Sequence, residues 1–447
     1  MVNVGGVVRN GWRYFLSSQL LRDSAVSMAT RSFGLVLAFV SHLLLSRTMG
    51  AQQYGLYVIA LGWALILVLP ARLGLDHATL RYATVYREHG RLGELRGFIR
   101  FSLISMALAS FCVGSLILAT KLFPVPTFRD TSWLMIASIA GMIFPLAAIG
   151  WASALLRTAQ RIMSSQFFEH LLRPLMLLIG IGILWSLGIR IDSISAMQLT
   201  LISASVVLVA MLISVKKVFG RIEEKPNYGE RSEWVSLSWV VLIMGALQEM
   251  MNQADILLLG MLADASSAGL FSAATRLSSL VPFGLTAIVM ISGPMIASAY
   301  HRRDWDELAG IARLTSRASL AFALAVAAFL AIFGRPILRA FGPEFDAAYP
   351  VLLVLLLGGL INAATGSVGY LMIMTGRQKA ALVIIALALL LSVSINVILI
   401  PILGPLGSAI ASSAAVATLN LSMLVYVRRT LGIDGSMIGL PVKRKIG

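Results

Sequence analysis

Two apolar runs carry polar side chains at helical spacing, and those side chains could hold an ion or a phosphate at membrane depth. The run 234–277 reads WVSLSWVVLIMGALQEMMNQADILLLGMLADASSAGLFSAATRL. In its first part Gly245, Gln248, Asn252 and Asp255 recur at steps of three and four and share one helical face. In its second part and just beyond, Ser272, Arg276, Ser279 and Thr286 do the same. A third stripe, Ser27, Arg31, Gly34, Ala38 and Ser41 with His42 beside it, lies in the first apolar run. Each ion in a span costs about 2.5–3.5 kcal/mol on insertion scales, so each needs a reason. A guanidinium is a fixed fork suited to phosphate, which makes Arg31 and Arg276 candidates for a phosphate clamp. Gln248, Asn252, Ser27 and Ser272 offer amides and hydroxyls for sugar or an ion. Asp255 is the candidate for charge balance or a coupling proton, and Glu249, about 100° from Gln248, is a second proton candidate. The plainer alternatives are snorkelling of both arginines to an interface and a structural Asp255–Arg276 pair.

Elements must position those stripes, and composition says which. The chain is 58% hydrophobic and 13% charged, as expected of an all-α polytopic membrane protein. A net charge of +16 would suggest nucleic acid in a soluble protein, but here the basic residues sit between apolar spans. Such spans fall at about 24–46, 54–73, 101–120, 132–156, 171–189, 194–215, 234–262, 268–297, 314–334, 349–374, 380–402 and 404–427, about twelve in all. The expected organisation is a cytoplasmic amphipathic segment (1–23), a six-helix bundle (24–215), a cytoplasmic connector (216–233), a second bundle (234–430) and a basic cytoplasmic tail (431–447). With the N-terminus inside, 26 of the 36 Lys and Arg fall in inside segments and six in outside ones. That bias predicts both termini in the cytoplasm. The longest outside loop is expected over 334–349, with no room for an external catalytic domain.

The two halves echo each other. Ala51, Gly55, Leu56 and Tyr57 correspond to Ala265, Gly269, Leu270 and Phe271, and Glu94-Leu95-x-Gly97-x-x-Arg100 to Glu307-Leu308-x-Gly310-x-x-Arg313. Nearly equal offsets imply a duplicated six-helix unit, two parallel bundles about an axis along the membrane normal, with a cavity between them. The sequence contains no G-x-x-x-x-G-K-[ST] loop, no H-E-x-x-H and no Cys/His cluster, so no ATP hydrolysis, metal site or catalytic residue is expected. The single cysteine, Cys112, excludes an intrachain disulfide.

Four stretches then resemble one family. They are LLLSRTMGAQQYGLYVIALGW (43–63), ARLGLDHATLRYATVYREHGR (71–91), ADILLLGMLADASSAGLFSAATRL (254–277), and the series ILRAFGPEF (337–345), Thr375-Gly376-Arg377 and NVILIPILGPLGSAIASS (396–413). Together they resemble the polysaccharide-transport branch of the multidrug/oligosaccharidyl-lipid/polysaccharide flippase superfamily, the Wzx-type flippases. The resemblance implies a MATE-like V of two bundles in the inner (plasma) membrane and a polyprenyl-diphosphate-linked oligosaccharide as substrate. It also implies alternating access driven by an H+ or Na+ gradient with no other cofactor. Membrane lipids, a polysaccharide polymerase and other assembly proteins are the implied partners, and nucleic acid is not. Phe271 departs from the tyrosine of the family pattern. The rival readings are a multidrug or organic-cation exporter of the same fold, which would favour acidic, aromatic pockets, and a membrane glycan polymerase or glycosyltransferase, which would need outside carboxylates.

Overall fold

The computed structural model describes residues 19–121, 131–220 and 222–437, and regular structure among them is helical throughout. The amphipathic segment is therefore outside the described residues up to residue 18, and the tail from residue 438 onward. Among the described residues ten helices are long and apolar enough to cross a bilayer, and Ala265–Ser278 with Leu280–Val289 form an eleventh candidate bent by 40°. The first of the ten, Val26–Arg72, has 47 residues, about 70 Å of straight helix and twice the hydrocarbon core. It is not straight. Gly50 leaves helical geometry at φ 74, ψ 170, a conformation open to glycine. Tyr54 Oη lies 3.3 Å from His42 Nδ1, although twelve residues of straight helix would separate them by about 18 Å. The chain folds back at Gly50, and its two arms count as two spans. That brings the eleven candidates to the expected twelve.

In chain order the principal helices are α1 (Gln19–Arg72), α2 (Leu75–Glu88), α3 (Leu92–Ala119), α4 (Trp133–Thr158), α5 (Ile162–Gln166), α6 (Arg173–Ser186), α7 (Ser193–Phe219), α8 (Arg231–Leu262), α9 (Ala265–Ser278), α10 (Leu280–His301), α11 (Trp305–Phe341), α12 (Tyr349–Thr365), α13 (Val368–Met374), α14 (Gln378–Leu403) and α15 (Pro405–Leu431). Helices α1 to α7 pack on one another, as do α10 to α15, while α8 and α9 lie against both groups. The expected outside loop at 334–349 is largely helical instead. Helix α11 continues to Phe341, and a 3-10 turn, Pro343–Ala348, leads into α12. The chain after α15 also turns back into the fold, where Arg428 Nη2 meets Asp434 Oδ2 at 2.6 Å and Met437 N donates to Ala364 O.

The repeat becomes a contact near Gly50. A Cβ on Gly55 would collide with the backbone carbonyl of Ala265, and a Cβ on Gly269 with that of Ala51. These are the four residues that correspond in the repeat, each glycine touching the partner's alanine. A two-fold axis passing between α9 and the second arm of α1 produces such reciprocity. Glu344 Oε2 completes this end by accepting from the first amide of the second arm, Ala51 N, at 2.8 Å, a carboxylate at a helix N-terminus.

At the opposite end the connector is tied down. Asn227 N donates to Gly93 O (2.9 Å), and Arg96 Nη1 to the carbonyls of Glu223 (3.0 Å) and Glu224 (2.7 Å). Tyr86 donates its hydroxyl proton to Glu230 and accepts from Trp234 Nε1 at 2.7 Å, while Arg91 Nη2 reaches Glu230 at 2.5 Å. Trp234 is fully buried, edge-on to Phe98. The Tyr86 hydroxyl and the Arg91 guanidinium hold the Glu230 carboxyl below its usual range. A carboxyl lowered on folding stabilises the fold above its unfolded value, and that contribution fades as pH falls through the folded one. Glu230→Gln is therefore expected to flatten the acid limb of thermal stability in detergent, with the variant and wild type converging below the lowered value. An unchanged acid limb would show that the cluster contributes nothing.

Candidate functional site

A cavity of about 670 Å³ lies between α1, α6, α7, α8, α9 and α10. The first arm of α1 contributes Arg31, Gly34, Ala38, Ser41 and His42, the stripe read from the sequence. Helix α9 and its continuation contribute Ser272, Arg276, Ser279 and Thr286, again as read. Ser27, at the far end of the α1 stripe, is buried but lies outside the lining.

Helix α8 departs from the expected face. Asn252 lines the cavity together with Gln253 and Ile256, whereas Gln248 is exposed outside it. Asp255 is buried and accepts from Asn396 Nδ2 of α14 at 2.8 Å. At 100° per residue Asp255 sits roughly 60° round from Asn252 and 100° from Ile256, enough to turn it from the cavity into the second helix group. It does not pair with Arg276. The hydroxyls of Ser392 and Ser412 lie beside its carboxyl, and Asn396 Oδ1 is buried with no hydrogen-bond partner among the described residues. Glu249 reaches the cavity indirectly, by accepting from Gln253 Nε2 at 2.9 Å.

A third cation, Arg173, which belongs to none of the stripes read from the sequence, joins the site. Pro174 has no N–H for the His170 carbonyl, and the chain widens into a π turn, Phe167–Leu172. Gly34 lets α1 close on that freed carbonyl, where a Cβ would collide. The turn directs Glu169, His170 and Arg173 into the cavity. The signal was present in the sequence as three titratable residues within five positions, next to a proline in an apolar run. Serines fix this segment: Ser203 Oγ donates to Arg173 O (2.7 Å) and Ser153 Oγ to Glu169 Oε2 (2.8 Å).

Three guanidinium groups, of Arg31, Arg173 and Arg276, thus face one cavity with Glu169 as its lining carboxylate. None of the three has an ion-pair partner among the described residues, and Arg31 Nε is buried without a hydrogen bond. Arg276 Nε donates to Tyr54 Oη at 3.0 Å. With histidines neutral the lining carries a net +2, in a setting where charge acts over a longer range than in water. The described residues hold no group of three or more His, Cys, Asp or Glu that could bind a metal ion.

A bent first helix, an internal repeat and a polar cavity between helix groups characterise the fold, and comparison gives the proteins that share it. The chain is similar in structure to an inward-facing multidrug-resistance MATE family transporter of the MOP superfamily (TM-score 0.72, 15% identity, 92% of this chain and 98% of that one). It is similar to the lipid II flippase MurJ in an inward closed conformation (0.73, 15%, 90% and 87%). A third likeness is to a MOP superfamily transporter from Pyrococcus furiosus whose reversed binding-pocket polarity suggests a different function (0.61, 16%, 92% and 94%). No curated protein matches the sequence. The fold is the one that these transporters and this flippase share. The profile of the polysaccharide biosynthesis protein family matches residues 20–299, well over half the chain, and the MatE profile matches 241–398. The chain belongs to the polysaccharide biosynthesis protein family.

Proposed function

We propose that this chain is a flippase that moves a polyprenyl-diphosphate-linked oligosaccharide across the inner (plasma) membrane for surface polysaccharide (O-antigen, capsule or exopolysaccharide) assembly. The observation that carries the reading is the charge of the cavity. Three unpaired guanidinium groups against one carboxylate leave +2, and a diphosphate diester carries two negative charges. An organic cation would face the same three guanidinium groups, which disfavours the exporter alternative. Ser272, Asn252 and Gln253 offer hydroxyl and amide partners for the first sugars. The connector end is taken as cytoplasmic and the Gly50 end as outer. Substrate then enters from the inside, and release requires the Gly55–Ala265 and Gly269–Ala51 contacts to part.

Coupling is assigned to Asp255. Its carboxylate accepts from Asn396 Nδ2 and lies beside two serine hydroxyls, and the same Asn396 leaves its Oδ1 unpaired, so the pocket keeps oxygen acceptors that one H+ or Na+ would satisfy. The test is purified protein in liposomes carrying a fluorescent polyprenyl-diphosphate oligosaccharide, scored for label reaching the opposite leaflet. Wild type should move the label faster with an H+ or Na+ gradient. Asp255→Asn should bind it equally well yet lose the gradient-dependent part, about 10-fold or more. Movement of a cationic dye instead of the lipid would overturn the substrate, and gradient-driven transport in Asp255→Asn would overturn the coupling site.

A further inference from the structure

We propose that His42 is a proton-binding member of the anion site, which takes up a proton when a dianion enters. The inference rests on the cavity being an anion site. A guanidinium N–H only donates, so Arg276 Nε on α9 gives its hydrogen to the Tyr54 oxygen at 3.0 Å. The Tyr54 proton then points to its other neighbour, His42 Nδ1, at 3.3 Å. His42 Nδ1 is therefore the acceptor, and a chain of two hydrogen bonds joins α9 to both arms of α1.

Protonation changes the first link of this chain and leaves the second. A proton on Nδ1 removes the acceptor for the Tyr54 hydrogen, while Arg276 Nε–H still donates to the Tyr54 oxygen. The groups facing His42 are Arg276 from α9, Arg173 from α6, and Tyr54 and Tyr57 from the second arm of α1, with α7 adding the neutral Thr200 that bonds Tyr57. Glu169, the lining carboxylate, is held by Ser153 on the π turn. These neighbours place two cations and no carboxylate around the imidazole. A dianion reverses that balance, and by linkage anion and proton each tighten the binding of the other. The proton comes from acid in the cavity water, and the one bond formed is N–H on the imidazole.

The experiment is calorimetry of the full chain in detergent with P1,P2-dimethyl diphosphate, a diester whose two charges are fixed near neutral pH, in buffers of different ionisation enthalpy. Wild type should take up about half to one proton per diester bound near pH 7, and bind several-fold more tightly as pH falls from about 8 to 6. His42→Gln should bind without proton uptake and without that pH dependence, while His170→Gln keeps both. Tyr54→Phe leaves the imidazole intact and should keep proton uptake, which makes the test independent of how well His42→Gln folds. Binding by wild type without proton uptake, or uptake that survives His42→Gln, overturns the role of His42 alone. No binding by wild type overturns the anion site and this inference with it.

Discussion

Replacing Gly55 with leucine is expected to hold the Gly50 end open and to reduce transport by more than about 20-fold. The site has no slack. A side chain at Gly55 meets the backbone carbonyl of Ala265, and the reciprocal contact of Gly269 with Ala51 means that relief on one side compresses the other. Overpacking costs about 1–3 kcal/mol where side chains can yield, and here backbone must yield. That range shifts the closed-to-open ratio by roughly 5- to 150-fold. A reporter cysteine at Ser272, which lines the cavity and is buried in the closed state, reads the shift in a Cys112→Ser background. A membrane-impermeant maleimide applied at the Gly50 side should label it at least about 10-fold faster in Gly55→Leu. The control is Gly310→Leu, because Gly310 has open space where its Cβ would be. Equal labelling and equal transport in Gly55→Leu and wild type would show that this contact is not the seal.

The glycine contact marks a boundary in what the sequence discloses. The repeat made Ala51, Gly55, Ala265 and Gly269 visible as corresponding residues, because close helix crossings require small side chains and duplication repeats the requirement. That they touch one another reciprocally depends on where the axis falls, which no local pattern encodes. The stripes of α1 and α9 were legible because each helix keeps one face to the cavity over three turns or more, so spacing alone defines it. Asp255 was misplaced because steps of three and four drift around a helix, and a residue at the stripe's edge is claimed by whichever neighbour packs there. Here that neighbour is Asn396 of α14, far along the chain. The 334–349 segment read as a loop because Arg335, Arg339 and Pro343 interrupt its apolar period. Helix α11 instead carries the two arginines in its final turns, and Arg339 meets Asp346 at 3.2 Å. Phe271 lacks a hydroxyl and lies 2% exposed in the core, so the site has no use for one at that position.

Arg173→Ala is expected to lower both diester affinity and transport by about 10- to 150-fold, more than Arg31→Ala. The ranking follows from position. His42 is eleven residues along α1 from Arg31, about 16 Å of helix, and Arg276 joins the His42 level through Tyr54. Arg173 acts electrostatically on His42 and Tyr57, whereas Arg31 acts on His170. Arg173 and Arg276 therefore share the deep level, and Arg31 stands nearer the connector end. A diphosphate spans only a few ångströms, so the deep pair holds it while Arg31 guides it inward. A hydrogen bond to a charged group contributes about 1.5–3 kcal/mol, which converts to the range given. Arg276→Ala also removes the donor to Tyr54, so its loss mixes binding with the tie between halves, and Arg173→Ala is the cleaner measurement. Arg173→Lys separates charge from shape, since lysine keeps the charge without the fork and should restore affinity only in part. If Arg31→Ala costs more than Arg173→Ala in diester affinity, the diphosphate sits at the connector end of the cavity, and the turn built by Pro174 serves the lipid's path and not its phosphates.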